Sequence, residues 1–517
     1  MIKKITALLL VSLMTFSLAA CGGDKDEVSS ASTDLVVSEV ESASEPESKV
    51  ETTESKEETT SSEEVKTPAG PSKIQTTISN PNANVDVSVK DDGTTIKPIT
   101  NLKVTKGASI SQGIDLKGKK ITMAITEECQ YATGSFKRCV AAFETAYNCK
   151  VTIKKLGFGT YAQQFAQAKA AGDVYDIGFA HGYMFPSLAN DDIFEPVNDT
   201  LRSGDILTTS TSGGIDLNKT SYFVYKGKIW GTCNYNSCFP YLIYYNKKML
   251  ADAGYSGNKD PRKMAENGKW SWKIIDKLGK ELTDAKAGKY FLSSWFCYGR
   301  PIPLSYGAQV VVSDGKGGYK QNITSLDYIN ALKFKQKLLL GSNAICDPEG
   351  TGTFECLTSG RVYMWCEESS KYLDLALAAP KSTALGRKKE NIGIVEMPLA
   401  GNNKDRYPTG WLTAVVCGKG KDPRISIAWD VFRSQYKDPL ESTDANVYSP
   451  ADKKYVNNLL VGDICLDIGR FYSSDSDTGT LVSTEMDYLI RRGGDVAKEV
   501  ANYKDKVQDC INFTCKK

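Results

Sequence analysis

The sequence predicts an α/β fold: mostly parallel sheets flanked by helices, divided into two lobes. Two observations carry the prediction. Strand-like and helix-like runs alternate from residue 116 to the end, the order that builds a sheet with helical crossovers. That region is also about 400 residues long, more than a single core normally supports.

Residues 120–126 form a β-like run. Over 135–148, Phe136, Val140, Phe143 and Tyr147 recur at helical spacing and mark one apolar face. Residues 151–155 read as a strand, 161–171 as a helix and 176–180 as a short apolar strand. Gly182-Tyr183 and a helix ending near Asn190 follow. On such a sheet, ligands sit beyond the carboxyl ends of the strands. Tyr241 to Tyr245 is a dense apolar run; Asn246 suits the N-cap of a helix over 247–253, and Gly254 its stop. Ser271 can cap a helix over 272–285, with Ile275, Leu278 and Leu282 on one face. Asp422-Pro423 pairs a cap with a first-turn proline, and Ile425, Trp429, Phe432 and Tyr436 form an apolar stripe behind it. These stripes read as core.

The first 115 residues differ in character. Lys3 and Lys4 precede an apolar run over 5–16, closed by Leu18-Ala19-Ala20-Cys21. A run this short, with small residues before one cysteine, reads as a cleaved export signal rather than a membrane span. Residues 24–66 hold fourteen acids against four lysines and no aromatic residue. That composition cannot bury enough apolar surface to fold. As a flexible coil, about 50 such residues span on the order of 40 Å. The formal charge of +2 thus conceals a spacer near −10 and a remainder near +10. The positive excess is scattered, without a Lys/Arg stripe or interleaved aromatics, so no nucleic-acid footprint is present. Over 74–115, Val85-Asp86-Val87-Ser88-Val89 alternates like a strand and Asp92-Gly93 suits a hairpin turn. The expected organisation is a leader over 1–21, a disordered Ser/Thr/Glu-rich tether over 22–73, a small β-like extension of unassigned role over 74–115, and the two-lobed domain over 116–517.

Leu-Ala-Ala-Cys resembles the bacterial lipobox, which implies that Cys21 carries lipid; the plainer alternative is an ordinary signal peptide in which Cys21 is incidental. Six stretches of the domain also resemble, in order, the extracellular solute-binding proteins of carbohydrate ABC importers, the maltodextrin-binding type. They are Ile121 to Ala124 leading to the Phe136 helix; Ala171-Gly172-Asp173-Val174-Tyr175-Asp176-Ile177, with Ala180-His181 and Phe194-Glu195-Pro196-Val197 after it; Gly227-Lys228-Ile229-Trp230-Gly231 before Tyr244-Tyr245-Asn246-Lys247-Lys248. Next come Lys269-Trp270-Ser271-Trp272 and Leu357-Thr358-Ser359-Gly360-Arg361-Val362-Tyr363-Met364. Last is Gly393-Ile394 to Met397-Pro398-Leu399, ahead of Gly410-Trp411 and Ala428-Trp429.

The resemblance implies a two-lobed binding protein of type II, its lobes joined by crossing segments and closing like a hinge on a sugar. The N-lobe would span about 116–232 plus 405–450, and the C-lobe about 236–400 plus 455–517. The implied partners are a carbohydrate, the permease subunits of an ABC importer, and the membrane through lipid on Cys21. The implied place is the extracellular face of the bacterial cytoplasmic membrane, on a Gram-positive surface, as a monomer.

Sugars present apolar C–H faces rimmed by hydroxyls, and are gripped by aromatic platforms and side chains that donate and accept hydrogen bonds. Where the resemblance puts interlobe loops, this chain has such residues: Glu127 and Tyr131; His181 and Tyr183; Tyr235 and Asn236; Trp295 and Tyr298; Glu367 and Ser369, with Trp365 nearby; and Trp411. Each aromatic taken singly could equally be core. Relatives commonly carry an acid just after the third strand, where this chain has His181-Gly182-Tyr183.

An enzyme fits less well. One histidine in the chain excludes a multi-histidine zinc site, and His181 has no nucleophile-elbow motif nearby. No phosphate-cradling loop occurs in context, so neither metal nor cofactor is expected. Two acid pairs, Glu127-Glu128 and Glu367-Glu368, leave a surface carbohydrate-active enzyme as an alternative, beside an adhesion lipoprotein. Of the fourteen cysteines, Cys233/Cys238 and Cys510/Cys515 are close enough in sequence to bridge, while others such as Cys139 and Cys366 sit in apolar patterns as small hydrophobes.

Overall fold

The computed structural model describes residues 116–126, 134–157, 160–182, 185, 187–198, 200, 215–234, 237–294, 300–314, 318–341, 354–436, 448–460, 464–466 and 480–515. The chain divides into two units, 1–66 and 67–517, and all described residues belong to the second. The leader, the tether and the 74–115 extension lie outside the described residues.

β1 (Lys120–Thr126) buries Ile121, Met123 and Ala124. The helix Gly134–Tyr147 then lays Phe136, Val140, Phe143 and Tyr147 against the core, as their spacing of three and four requires. A helical crossover returns the chain in the same direction, so β2 (Lys150–Leu156) pairs parallel with β1, Lys120 opposite Lys150. After the helix Tyr161–Ala170 comes β3 (Gly178–His181). Its approach is pinned to β1, where the Thr122 amide and hydroxyl both donate to Asp176 at 2.8 and 2.9 Å. A short β4 (Phe194–Glu195) follows, then β5 (Val224–Tyr225) and β6 (Lys228–Ile229). Lys226 and Gly227 both adopt positive φ, 50° and 70°, in the two-residue turn that links β5 and β6.

β7 (Cys238–Asn246) is buried along nearly its whole length. Asn246 accepts from the Met249 amide at 3.0 Å and so caps the helix Lys247–Asp252. Ser271 caps Trp272–Leu282 in the same way. That helix ends short of the expected Ala285, because Thr283 turns extended and its hydroxyl accepts the Phe291 amide at 3.2 Å, leading the chain into β8 (Tyr290–Ser294). The remaining strands are β9 (Val311–Ser313), β10 (Tyr319–Gln321), β11 (Val362–Glu368), β12 (Ile392–Glu396), β13 (Tyr407–Gly418) and β14 (Ile464–Leu466).

β13 organises the rest. Its first residues pair parallel with β14; Thr409 to Leu412 pair antiparallel with the start of β7. Thr413 to Val416 then pair antiparallel with β3, and Cys417 and Gly418 with β4. β7 in turn carries β11 and β12, both antiparallel. The chain therefore crosses between the two halves at least twice, along Thr232 to β7 and along β13. Thr232 and Val415 exchange backbone hydrogen bonds of 2.9 and 2.8 Å where these crossings meet. Pairing is consequently mixed, where mostly parallel sheets were expected. The parallel pairs β1–β2, β8–β11 and β13–β14 are present, but the crossing strands run against nearly every neighbour they meet.

Apolar side chains fill both faces. Ile121, Met123 and Phe143 surround the fully buried Trp429 in one half. In the other, Tyr241, Ile243, Met364 and Cys366 bury on one face of β7–β11, and Leu242, Tyr244 and Trp365 on the opposite face. The largest core joins residues that the sequence places in different lobes, such as Tyr161, Phe165 and Tyr225 with Tyr319, Val500 and Ile511. Tyr225 stacks on Tyr319 at 5.8 Å and 16°. Asn190 donates to the Thr514 carbonyl at 2.7 Å, and Tyr222 to that of Ile464 at 2.6 Å. Nine of the ten described cysteines are buried, and neither Cys233/Cys238 nor Cys510/Cys515 is bridged.

Candidate functional site

His181 ends β3, at the carboxyl edge where sheets of this kind receive ligands. It lies opposite Thr413 of β13, and its Nδ1 is 2.8 Å from the Thr413 hydroxyl. Burial holds its imidazole down at about 4, so the ring is neutral at physiological pH. Trp411 stands two residues before Thr413, on the same strand face. The two rings meet edge-to-face, centroids 5.5 Å apart and planes at 79°. His181 is 7% exposed, whereas Trp411 is half-buried and packs only in part against the core.

Beside Trp411, the register of β13 on β7 shifts between Thr409 and Trp411, a bulge that re-aims side chains. Gly410 sits in this step and Glu368 packs directly on it. A Cβ at Gly410 would stand 2.7 Å from Glu368 Cγ and collide with the carboxylate. Glu368 is buried, and its carbonyl accepts from the Tyr244 hydroxyl at 2.9 Å. A half-buried indole that meets a neutral imidazole edge-on thus stands next to a backbone step on which a buried acid packs. That set can receive an apolar ring face and accept hydrogen bonds from its rim. Among the described residues, no group of three His, Cys, Asp or Glu side chains is placed to hold a metal ion.

Comparison with known proteins decides what this arrangement belongs to. The family model of the bacterial extracellular solute-binding proteins matches residues 131–424, more than half of the chain. The chain belongs to that family. A search of curated protein sequences finds no match. Solved structures share its fold. An ABC substrate-binding protein from Listeria monocytogenes, in complex with cycloalternan, superposes with a TM-score of 0.53 at 16% identity, over 76% of this chain and 98% of that one. The sugar-binding protein MalE from Xanthomonas citri gives 0.56 at 14%, over 76% and 98%. The galacto-N-biose/lacto-N-biose I-binding protein from Bifidobacterium longum, with lacto-N-biose, gives 0.53 at 15%, over 77% and 98%. The fold is the two-lobed type II binding-protein fold. No described helix is long and apolar enough to cross a membrane.

Of the residues singled out in this solute-binding protein, the structure brings His181 and Trp411 together. Glu367 is buried on the strand face opposite Glu368, with its Oε1 accepting the Glu368 amide at 3.1 Å. It shares that face with Trp365, which is core against Tyr244. Ser369 is half-buried, and its carbonyl accepts from the Tyr448 hydroxyl at 2.6 Å. Glu127, Tyr131, Tyr183, Tyr235, Asn236, Trp295 and Tyr298, like Cys21, lie outside the described residues. The sequence does not single out Thr413, which contacts the imidazole, or Glu368, which packs on Gly410, as binding residues. Glu368 reads there only as one of an acid pair, and Thr413 carries no local signal, because its partner is 232 residues away.

Proposed function

We propose that this solute-binding protein captures a mono- or oligosaccharide and delivers it to the permease of an ABC importer. In this reading lipid on Cys21 holds a monomeric, non-enzymatic protein to the extracellular face of a Gram-positive membrane, the acidic tether giving it reach. The lobes are 116–232 with 405–450 and 236–400 with 455–517, closing on the sugar.

The carrying observation is the half-buried Trp411, braced edge-on by His181 where β13 crosses between the halves. An indole in that position offers a floor for the C–H face of a pyranose. Glu368 is the acceptor beside it. Glu127, Tyr131, Tyr183, Tyr235, Asn236, Trp295, Tyr298, Glu367 and Ser369 complete the proposed set. Sugars named with the solved relatives, cycloalternan and lacto-N-biose, support the same ligand class.

A thermal-shift screen against sugars tests the reading. A sugar that binds only the folded state, at 100 times its dissociation constant, adds about 2.7 kcal/mol. Stabilisation by amino acids or peptides, with none by any sugar, would overturn it.

A further inference from the structure

His181 and Trp411 are neighbours through strand register, not through chain proximity. β3 runs antiparallel to β13 with His181 opposite Thr413, so imidazole and hydroxyl share one sheet face. Trp411, two residues before Thr413, points to that face as well. The 2.8 Å contact from Nδ1 to the Thr413 hydroxyl fixes the plane of the imidazole. In that plane the ring meets the indole at 79°.

We infer that His181 is a positioning residue: oriented by Thr413, its imidazole braces the Trp411 indole in the attitude that receives a sugar ring. The inference rests on the carbohydrate reading and names how that platform is held. A tryptophan on a strand has two side-chain torsions to fix. The core holds the indole only in part, and the freedom left to it would be lost when ligand arrives, at a cost in affinity. A brace built from two strands removes that cost in the empty protein. The chemistry of the brace suits the role. Buried and neutral through pH 5–8, the ring acquires no charge that would draw it toward an acid. Thr413 and Trp411, which face it from β13, are uncharged. Neutral imidazole offers one donor and one acceptor nitrogen, and a hydroxyl can satisfy either.

Fluorine NMR of the whole protein labelled with 5-fluorotryptophan tests this without a ligand. Loss of one signal in Trp411→Phe assigns Trp411. In the unsubstituted chain that signal should be single and constant from pH 8 to 5. His181→Ala should move it toward the position of free fluoroindole, and Thr413→Val should move it part of the way. Thr413→Val removes only a hydroxyl, so it decides the matter if His181→Ala fails to fold. A Trp411 signal unmoved by both substitutions overturns the brace, as does one that titrates near 6.5. Adding maltotetraose separates the two readings. A signal that answers to His181→Ala but to no sugar supports the brace and counts against the carbohydrate reading. A signal that answers to sugar but to neither substitution overturns the brace alone.

Discussion

Asn234 donates its side-chain amide to Asp430 twice, at 2.7 Å to Oδ1 and 3.2 Å to the backbone carbonyl. Both residues are fully buried. The bond ties the first crossing segment to the helix Pro423–Gln435 that follows the second. A hydrogen-bonded buried carboxyl at such a place makes the junction sensitive to its own protonation.

Burial pushes the Asp430 carboxyl up to about 7, against the hydrogen bonds of Thr232 and Asn234 and the charge of Arg433. The folded state therefore holds the proton more tightly than the unfolded chain. The resulting stability is complete below the unfolded value near 4 and is lost as pH rises to about 7. Urea midpoints at pH 5 and pH 8 should differ more in the unsubstituted protein than in Asp430→Asn. Equal differences in the two proteins would refute the assignment.

Trp411→Ala should weaken sugar binding by roughly one to two orders of magnitude, the loss of about 1–3 kcal/mol of ring burial. Because the indole is half-buried, the unfolding temperature should change little. Calorimetry and thermal melts on one preparation check both. A large drop in melting temperature with affinity preserved would place Trp411 in the core instead.

Gly410→Ala should destabilise the fold by about 1–3 kcal/mol, since the new methyl meets Glu368 in a packed interior. A second substitution, Glu368→Ala, should recover most of that loss. Denaturant titration of the three variants gives the coupling, and simple additivity would put the strain elsewhere.

The seam of Tyr225 on Tyr319 joins residues assigned to different lobes. Tyr319→Ala should enlarge the radius of gyration of the empty protein in small-angle scattering, and saturating sugar should reduce it again. A radius indifferent to both would rule out a clamp at this seam.

Cys21→Ser should release the protein from the membrane fraction or leave it unprocessed. Stable attachment needs the two or three acyl chains of a bacterial lipoprotein, because one alone binds marginally. A mature, membrane-bound Cys21→Ser protein would remove the anchor from the reading.

Local signals were legible in the sequence. The stripe of Phe136, Val140, Phe143 and Tyr147 and the caps at Asn246, Ser271 and Asp422 depend on residues within a few positions of each other, and each stands in the structure. Long-range pairing was not. Nothing near residue 413 announces a partner at 181, and the antiparallel crossings that make the sheet mixed arise from that kind of pairing. The two acids of β11 show the same limit at the site. Whether Glu367 or Glu368 reaches Gly410 depends on the pleat phase that sets Glu368 opposite Tyr241. Both faces of β11 are apolar up to that point, so alternation alone names neither.

The register shift between Thr409 and Trp411 has a mechanical meaning. Regular ladders on either side of it behave as stiff plates, while a bulged step concentrates bend and twist. β13 belongs to both plates, so a relative rotation of the two has to be accommodated along this strand, and most readily at its irregular step. Trp411 is thus mounted beside that step. On the carbohydrate reading proposed above, a ring resting on the indole would press on the same peptide units whose curvature sets the angle between the plates, so occupancy and posture would be read at one point of the backbone.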